Sequence, residues 1–260
     1  MVSVQPMRVS LLSVTPVKGL TVQHPDQVEV TFGGIKGDRS LFLVDDSGEL
    51  MSCWTIGELI RHRAEYDPST DILSVYGPEG LLRSDRLVRA ETLHTDFYGL
   101  RSVTGRVAAN WTDLFSQIAG RPLRVVVGDS AGWDVFGLTL LGSESVAALA
   151  PDGDERVDAR RFRMNVEIAG SEPHDEDTWA GRELRVGGVR VRVGGPVKRC
   201  VATTRNPDTG VIDLQTLKMI GKRRGRQSHE PDGAGFYFGV YGEVLVEGRI
   251  NLGDEVALVD

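Results

Sequence analysis

Cys200 is the first residue whose type and setting point to chemistry. It closes the segment Gly194-Gly195-Pro196-Val197-Lys198-Arg199-Cys200, after a strand-like run and beside two basic side chains. Cationic neighbours favour the thiolate, the form that attacks electrophiles and binds soft metals. Weighed evenly against that reading is a small buried hydrophobe, since cysteine is among the most buried residue types. Cys53 stands between Ser52 and Trp54 with no basic neighbour in sequence, and is expected to be a buried structural thiol. A second chemical cluster is Arg160-Arg161-Phe162-Arg163-Met164-Asn165. Arginine offers a planar fork for phosphate or carboxylate, and asparagine can donate and accept at a heterocycle edge. On a strand, Arg163 and Asn165 would share one face, which makes a common ligand feasible, although a solvated basic turn is the usual fate of such a run. The basic segment Lys222-Arg223-Arg224-Gly225-Arg226 is expected to lie in a mobile surface loop, with an anionic ligand or acidic partner as the alternative.

Other motifs carry less. Gly128-Asp129-Ser130-Ala131-Gly132 matches the hydrolase nucleophile pattern by letter, but no helical period follows the serine, so a strand-ending turn is expected. His24, His62, His94, His174 and His229 show no metal-ligand spacing, and neither a phosphate loop nor a dinucleotide fingerprint is present. Asp175-Glu176-Asp177 reads as a solvated turn.

These residues need positioning elements. Strand-like runs appear at 8–14, 27–32, 39–44, 72–75, 123–127, 166–169, 184–193 and 240–246, mostly bounded by Gly, Pro or Asp. Gly187-Gly188 is one of several turn signals between them. Helical patterns are fewer. Asn110 to Ile118 carries Trp111, Leu114, Phe115 and Ile118 on one face, with Asn110 as the expected cap and Gly120 as the stop. Ser143 to Leu149 is a second helix, with Ser143 as its cap, and Thr55 to Glu65 and Leu214 to Ile220 are weaker candidates. Many short strands with few short helices predict a mostly-β, barrel-like α+β architecture, without the repeated strand–helix–strand spacing of a doubly wound sheet.

Composition bounds the rest. Of 260 residues, 40% are hydrophobic and 26% charged, which excludes wholesale disorder. The formal charge of −7 argues against a general nucleic-acid binder. No stretch approaches the ~18 apolar residues of a membrane span. Met1 to Leu20 lacks a basic segment followed by an apolar one, so no secretory signal is expected. With two cysteines and no CxxC pair, the chain is no disulfide scaffold or zinc finger, and a reduced, cytoplasmic protein with two buried thiols is expected.

In the second half, five segments resemble a known family in order and spacing. They are Arg161 to Val166, Glu176-Asp177-Thr178-Trp179, Val197 to Gly210 with its Arg199-Cys200-x-x-Thr203-Thr204-x-x-Pro207-x-Thr209-Gly210 core, Phe238-Gly239-Val240-Tyr241, and Gly253-Asp254-Glu255-Val256. This pattern resembles the MOSC domain, named for the C-terminal domain of molybdenum cofactor sulfurase. The first half, with Pro16-Val17-Lys18-Gly19 and then Gly37-Asp38-Arg39 before the strand at 40–44, is similar to the β-barrel segment that precedes that domain. The resemblance is strongest to the amidoxime-reducing-component branch and its bacterial relatives.

The resemblance implies an N-terminal β-barrel-like subdomain over residues 1–120 and a MOSC β-barrel over 121–260. It implies a molybdopterin form of molybdenum cofactor, with Cys200 as metal ligand and catalytic centre. Lys18, Arg39, Arg163, Asn165 and Tyr241 are the implied cofactor contacts, and Arg199 joins them by adjacency to the cysteine. The implied activity is reduction of small N-hydroxylated substrates, with electrons from a separate donor protein; the expectation of no membrane or nucleic-acid partner comes from composition. Sulfur transfer through a persulfide on Cys200, or a non-catalytic cofactor carrier, are the alternative functions. The sequence departs from close relatives at Lys198, at Gly19 and at Phe136-Gly137.

Overall fold

The computed structural model describes residues 6–150, 157–230 and 232–259. Strands dominate it, as the alternating patterns predict. A seven-stranded sheet runs in the order Arg8–Leu12, Val166–Ala169, Leu138–Gly142, Tyr237–Val246, Val189–Lys198, Glu183–Val186, Val256–Val259. Neighbours are antiparallel except Leu138–Gly142 with Val166–Ala169. The outer strands meet: Arg8 bridges Glu255, and Val9 N–H donates to the Asp254 carbonyl at 2.9 Å. The sheet is thereby nearly closed into a barrel, which satisfies edge groups that would otherwise invite pairing.

Alternation explains what fills the barrel. In Val189–Lys198 the residues Val189, Val191 and Val193 are buried while Arg190 and Arg192 face water. Their partners inside include Leu12, Leu138, Leu140, Val166, Ile168 and Trp179. A second sheet has the order Leu50–Met51, Leu41–Val44, Arg124–Gly128, Arg101–Ala108, Arg89–Phe97. It covers a separate core with Leu41, Leu43, Trp111, Phe115 and Val125. The first strand of the chain thus serves the barrel of late strands, and the strand just after residue 120 serves the sheet of early ones.

Local expectations meet the structure unevenly. The run at 184–193 is two strands joined at Gly187-Gly188, because Gly187 turns with φ 55°. The helix Thr112–Ala119 ends at Gly120 in the left-handed region, as expected, but Asn110 is not its cap. Its side-chain oxygen accepts from Val88 N–H and its amide donates to the Arg86 carbonyl, so it ties the helix entry to a strand linker instead. Ser143 likewise does not cap Ser143–Ala147; it donates to Glu167 at 2.7 Å. The pattern at 55–65 resolves into a short 3-10 turn, Gly57–Arg61, followed by the strand Arg63–Asp67. The basic segment after 215 is no mobile loop. Thr216–Arg224 is a helix, and Gln227–His229 pairs with Gly233–Gly235 as a hairpin. Arg224 ion-pairs with Asp177 at 2.5 Å and donates to His174 Nδ1 at 2.9 Å.

Among the described residues no helix is long and apolar enough to cross a membrane.

Candidate active site

One cavity of about 980 Å³ lies where loops of both sheets converge. Every residue named above as a candidate ligand lines it: Lys18, Arg39, Arg163, Asn165, Arg199, Cys200 and Tyr241. Lys18 follows a bridge to the strand Leu41–Val44, and Arg39 precedes that strand. Arg163 and Asn165 sit between a 3-10 turn, Ala159–Phe162, and the strand Val166–Ala169. Arg199 and Cys200 leave the long strand Val189–Lys198, and Tyr241 lies within Tyr237–Val246.

Cys200 is exposed, so the buried-hydrophobe reading fails for it; Cys53 is buried, as expected. Cys200 is extended (φ −115°, ψ 179°) at the start of the 3-10 turn Val201–Thr204. Its carbonyl accepts from the Thr203 hydroxyl at 3.0 Å, and that hydroxyl is 2.7 Å from Thr216. The turn fixes the backbone while leaving the sulfur at the cavity.

The rest of the segment after the cysteine braces rather than reacts. Asn206 caps its own turn by accepting from Asp208 and Thr209 N–H. Asp213 holds Arg161 at 2.7 Å, and Asp208 holds Arg160 at 2.7 Å. Gly210 has φ 72°, and a Cβ there would stand 2.0 Å from the Gly57 carbonyl, so no larger residue fits. Arg205 donates to the Gly210 carbonyl at 2.8 Å and to the Trp54 carbonyl at 3.2 Å, linking this loop to the other side of the cavity.

Charge is unevenly answered around the cavity. Six cationic side chains line it, against the carboxylates of Asp134 and Asp232. Lys18 donates to Asp134 at 2.7 Å and to the Gly132 carbonyl at 2.9 Å, so its charge is already paired. Arg39 is paired with Asp38. Asn165 is 2% exposed, and its side chain bonds Ser13, Asp38 and Thr139; it clamps the loops together. The shared strand face expected for Arg163 and Asn165 does not form, because Arg163 is left-handed (φ 54°) and lies before the strand. The two still line the same cavity.

Arg163 and Arg199 differ from Arg39 and Arg161, the other arginines of the cavity; Lys198 also lacks a carboxylate partner and donates to the Asp232 carbonyl. Neither Arg163 nor Arg199 forms an ion pair among the described residues. Arg163 donates to the Leu20 carbonyl, and Arg199 to the Phe162 carbonyl. The Arg199 Nε is buried without a partner. Loss of water pulls both guanidinium groups below their ordinary values; the Cys53 sulfur partly offsets this at Arg163, and the Cys200 sulfur at Arg199. A desolvated cation with no carboxylate is a binding element awaiting an anion. Burial, with Asp134 adding, raises the Tyr241 phenol, so it remains protonated and can donate.

Sequence reading missed several lining residues: Cys53, Trp54, Tyr98, Leu100, Trp133 and Asp134. Cys53 has no basic neighbour in sequence, yet the fold brings Arg163 close to it. Trp133 and Asp134 directly follow the hydrolase-like letters, which do form a strand-ending turn. Phe136-Gly137 has a packing reason: a Cβ on Gly137 would stand 2.6 Å from Gly34 Cα. The acidic triplet is not a solvated turn either. Glu176 is 0% exposed and accepts from Ser145 at 2.7 Å, because the 3-10 turn Asp175–Trp179 packs its Trp179 into the barrel core.

The MOSC domain model matches residues 129–257. Over nearly the whole chain, this sequence is 31% identical to "Mitochondrial amidoxime-reducing component 1" of Mus musculus, covering 96% of this chain and 82% of that protein. The chain belongs to the MOSC family and is a homologue of the amidoxime-reducing components. Similarity to "Mitochondrial amidoxime reducing component 2" of Bos taurus is 26% over 95% of this chain and 82% of that protein. "Molybdenum cofactor sulfurase" of Oryza sativa subsp. japonica is 25% identical over 86% of this chain but only 32% of its own length. In this MOSC-family chain the matched segment supplies Asp134, Arg163, Asn165, Arg199, Cys200 and Tyr241, whereas Lys18, Arg39, Trp54 and Tyr98 come from before it.

Proposed function

We propose that this protein is a molybdenum-cofactor-dependent oxidoreductase that reduces small N-hydroxylated substrates. The observation that carries the reading is one cavity lined by an exposed cysteine and two guanidinium groups without carboxylate partners. The residues fit an anionic pterin phosphate and a soft metal. Arg163 and Arg199 bring charge-assisted donors, the unpartnered Arg199 Nε among them, and Tyr241 a phenol O–H. Cys200 supplies a sulfur ligand suited to a soft metal. Lys18, Arg39 and Asn165 hold the loops that carry these groups; Lys18 and Arg39 keep further donors at the same cavity, whereas both amide N–H bonds of Asn165 are taken by Ser13 and Asp38. When bound, the molybdenum–pterin group supplies the two-electron oxygen chemistry; the protein supplies its position and electrostatics. Two cysteines cannot hold a four-cysteine ferredoxin-type cluster, and the electron source in this reading is a separate donor protein.

The test is molybdenum content by elemental mass spectrometry, with intact mass, on protein made in a cofactor-competent host. Stoichiometric molybdenum, reduction of an amidoxime with a chemical reductant, and loss of both in Cys200→Ala are expected. Metal-free protein carrying a labile extra sulfur on Cys200 would overturn the reductase reading in favour of sulfur transfer. Bound molybdenum with no turnover of any N-hydroxy substrate would leave a cofactor carrier.

A further inference from the structure

Trp54, Tyr98, Leu100 and Trp133 line the cavity, yet none belongs to the cradle just described. Tyr98 stands at the tip of the hairpin formed by Arg89–Phe97 and Arg101–Ala108. Leu100 N–H donates to the Phe97 carbonyl at 3.0 Å, with φ 59° at Tyr98 and 74° at Gly99. Tyr98, Gly99 and Leu100 form a three-residue connection between the strands, and its first two residues are left-handed, a conformation that ordinarily falls to Gly, Asn or Asp. A tyrosine there costs about 1 kcal/mol. Asp96 stabilises the turn by accepting from Gly99 N–H at 2.8 Å. Strain retained beside a cavity is a reason to look for function in the strained residue.

The hydroxyl has a defined direction of donation. Trp54 Nε1–H donates to the Tyr98 oxygen at 3.2 Å. An indole nitrogen can only donate, so the phenol proton is not used in that contact. Among the described residues no carbonyl or carboxylate accepts it, and the Ser52 hydroxyl lies beside the phenol oxygen. Trp54 is itself fixed, because its carbonyl accepts from Arg205. Burial, then the charge of Asp134, raises the phenol above its ordinary value, so the hydroxyl stays protonated and can donate a hydrogen bond.

We infer that the Tyr98 hydroxyl is the substrate-side donor of this cavity, hydrogen-bonding the oxygen of the N-hydroxyl group and passing it the proton that makes it water. The inference rests on the proposed reductase reading. Reduction breaks the N–O bond: R–NH–OH, two electrons and two protons give R–NH2 and H2O. A separate electron-donor protein supplies the electrons. One proton reaches the leaving oxygen through Tyr98, which is 46% exposed and regains it from solvent; the other joins nitrogen. Trp54 is a positioning residue that keeps the phenol oxygen in place.

The test uses molybdenum-loaded protein, benzamidoxime and reduced methyl viologen. Tyr98→Phe keeps the ring and removes only the hydroxyl. It is expected to lower kcat by about 100-fold, the scale of a lost proton donor, with KM changed by less than about threefold. Molybdenum content and the unfolding midpoint stay at the parent values. Trp54→Phe lowers kcat in the same direction by about tenfold. Turnover by Tyr98→Phe within about twofold of the parent, or a rise in KM alone, overturns the donor role while the reductase reading stands. A loaded parent that reduces no N-hydroxy substrate overturns the reading beneath it.

Discussion

Arg160 and Arg161 direct their guanidinium groups to carboxylates: Asp158 and Asp208 for one, Asp213 for the other. Arg163, two residues on, has none, and Arg199 from a distant strand end joins it at the same cavity. Arg224 repeats the first arrangement on the far side of the MOSC segment, with a side chain 6% exposed and paired to Asp177. All these arginines sit in basic runs of similar composition. What separates them is whether the fold brings a carboxylate to each. The paired ones hold loops together; the unpaired ones keep a charge that only an anion from outside can answer.

The sharpest test removes the unpaired charges together. Arg163→Gln with Arg199→Gln is expected to weaken cofactor retention by at least about 100-fold, since hydrogen bonds to charged groups are worth about 1.5–3 kcal/mol each. Molybdenum and pterin content after gel filtration would measure it. Retention equal to the parent would break the distinction between paired and unpaired arginines. The counterpart is Arg224→Gln, which leaves Asp177 without its cation and His174 Nδ1 without its donor. It should destabilise by about 2 kcal/mol, because Asp177 is partly solvated, while cofactor content stays unchanged. Denaturant unfolding and the same content assay would separate the two effects.

The smallest effect concerns the buried acid beside that pair. Burial raises the Glu176 carboxyl above its ordinary 4.5, against the Ser145 hydrogen bond. The folded state therefore holds this proton more tightly than the unfolded chain does. Its contribution to stability is complete below pH 4.5 and is lost as pH rises through the raised value. Glu176→Gln should remove that slope, which is at most about 1.4 kcal/mol per pH unit. Unfolding free energies of parent and variant across that range would show it. Parallel curves would mean Glu176 titrates normally.

Much of the barrel was readable from the residues. Alternation in the runs at 8–14, 166–169 and 184–193 follows the two-residue period of a sheet with one buried face, so strand existence and the inward valines were legible. The strands Gly80–Arg86, Arg89–Phe97 and Arg101–Ala108 were not: the first two are exposed along most of their length, and in the third the buried Gly105 interrupts the apolar alternation of Val103 and Val107. Periodicity carries no signal where neither face is clearly buried. Caps at Asn110 and Ser143 failed for a related reason: their side chains found stronger partners across the fold than in their own helix.

By itself the sequence determined a mostly-β chain, a cysteine flanked by cations, and the family motifs that gather around it. Those are properties of residue type and local order. Only the tertiary structure decided that Cys200 is exposed, and that the buried Cys53 lies at the same cavity. Only it decided which arginines meet carboxylates, and that Trp54 and Tyr98 complete the lining. Burial and ion pairing depend on residues far apart in the chain, such as Arg224 with Asp177 or Arg205 with Trp54, and local order does not encode where the fold will place them.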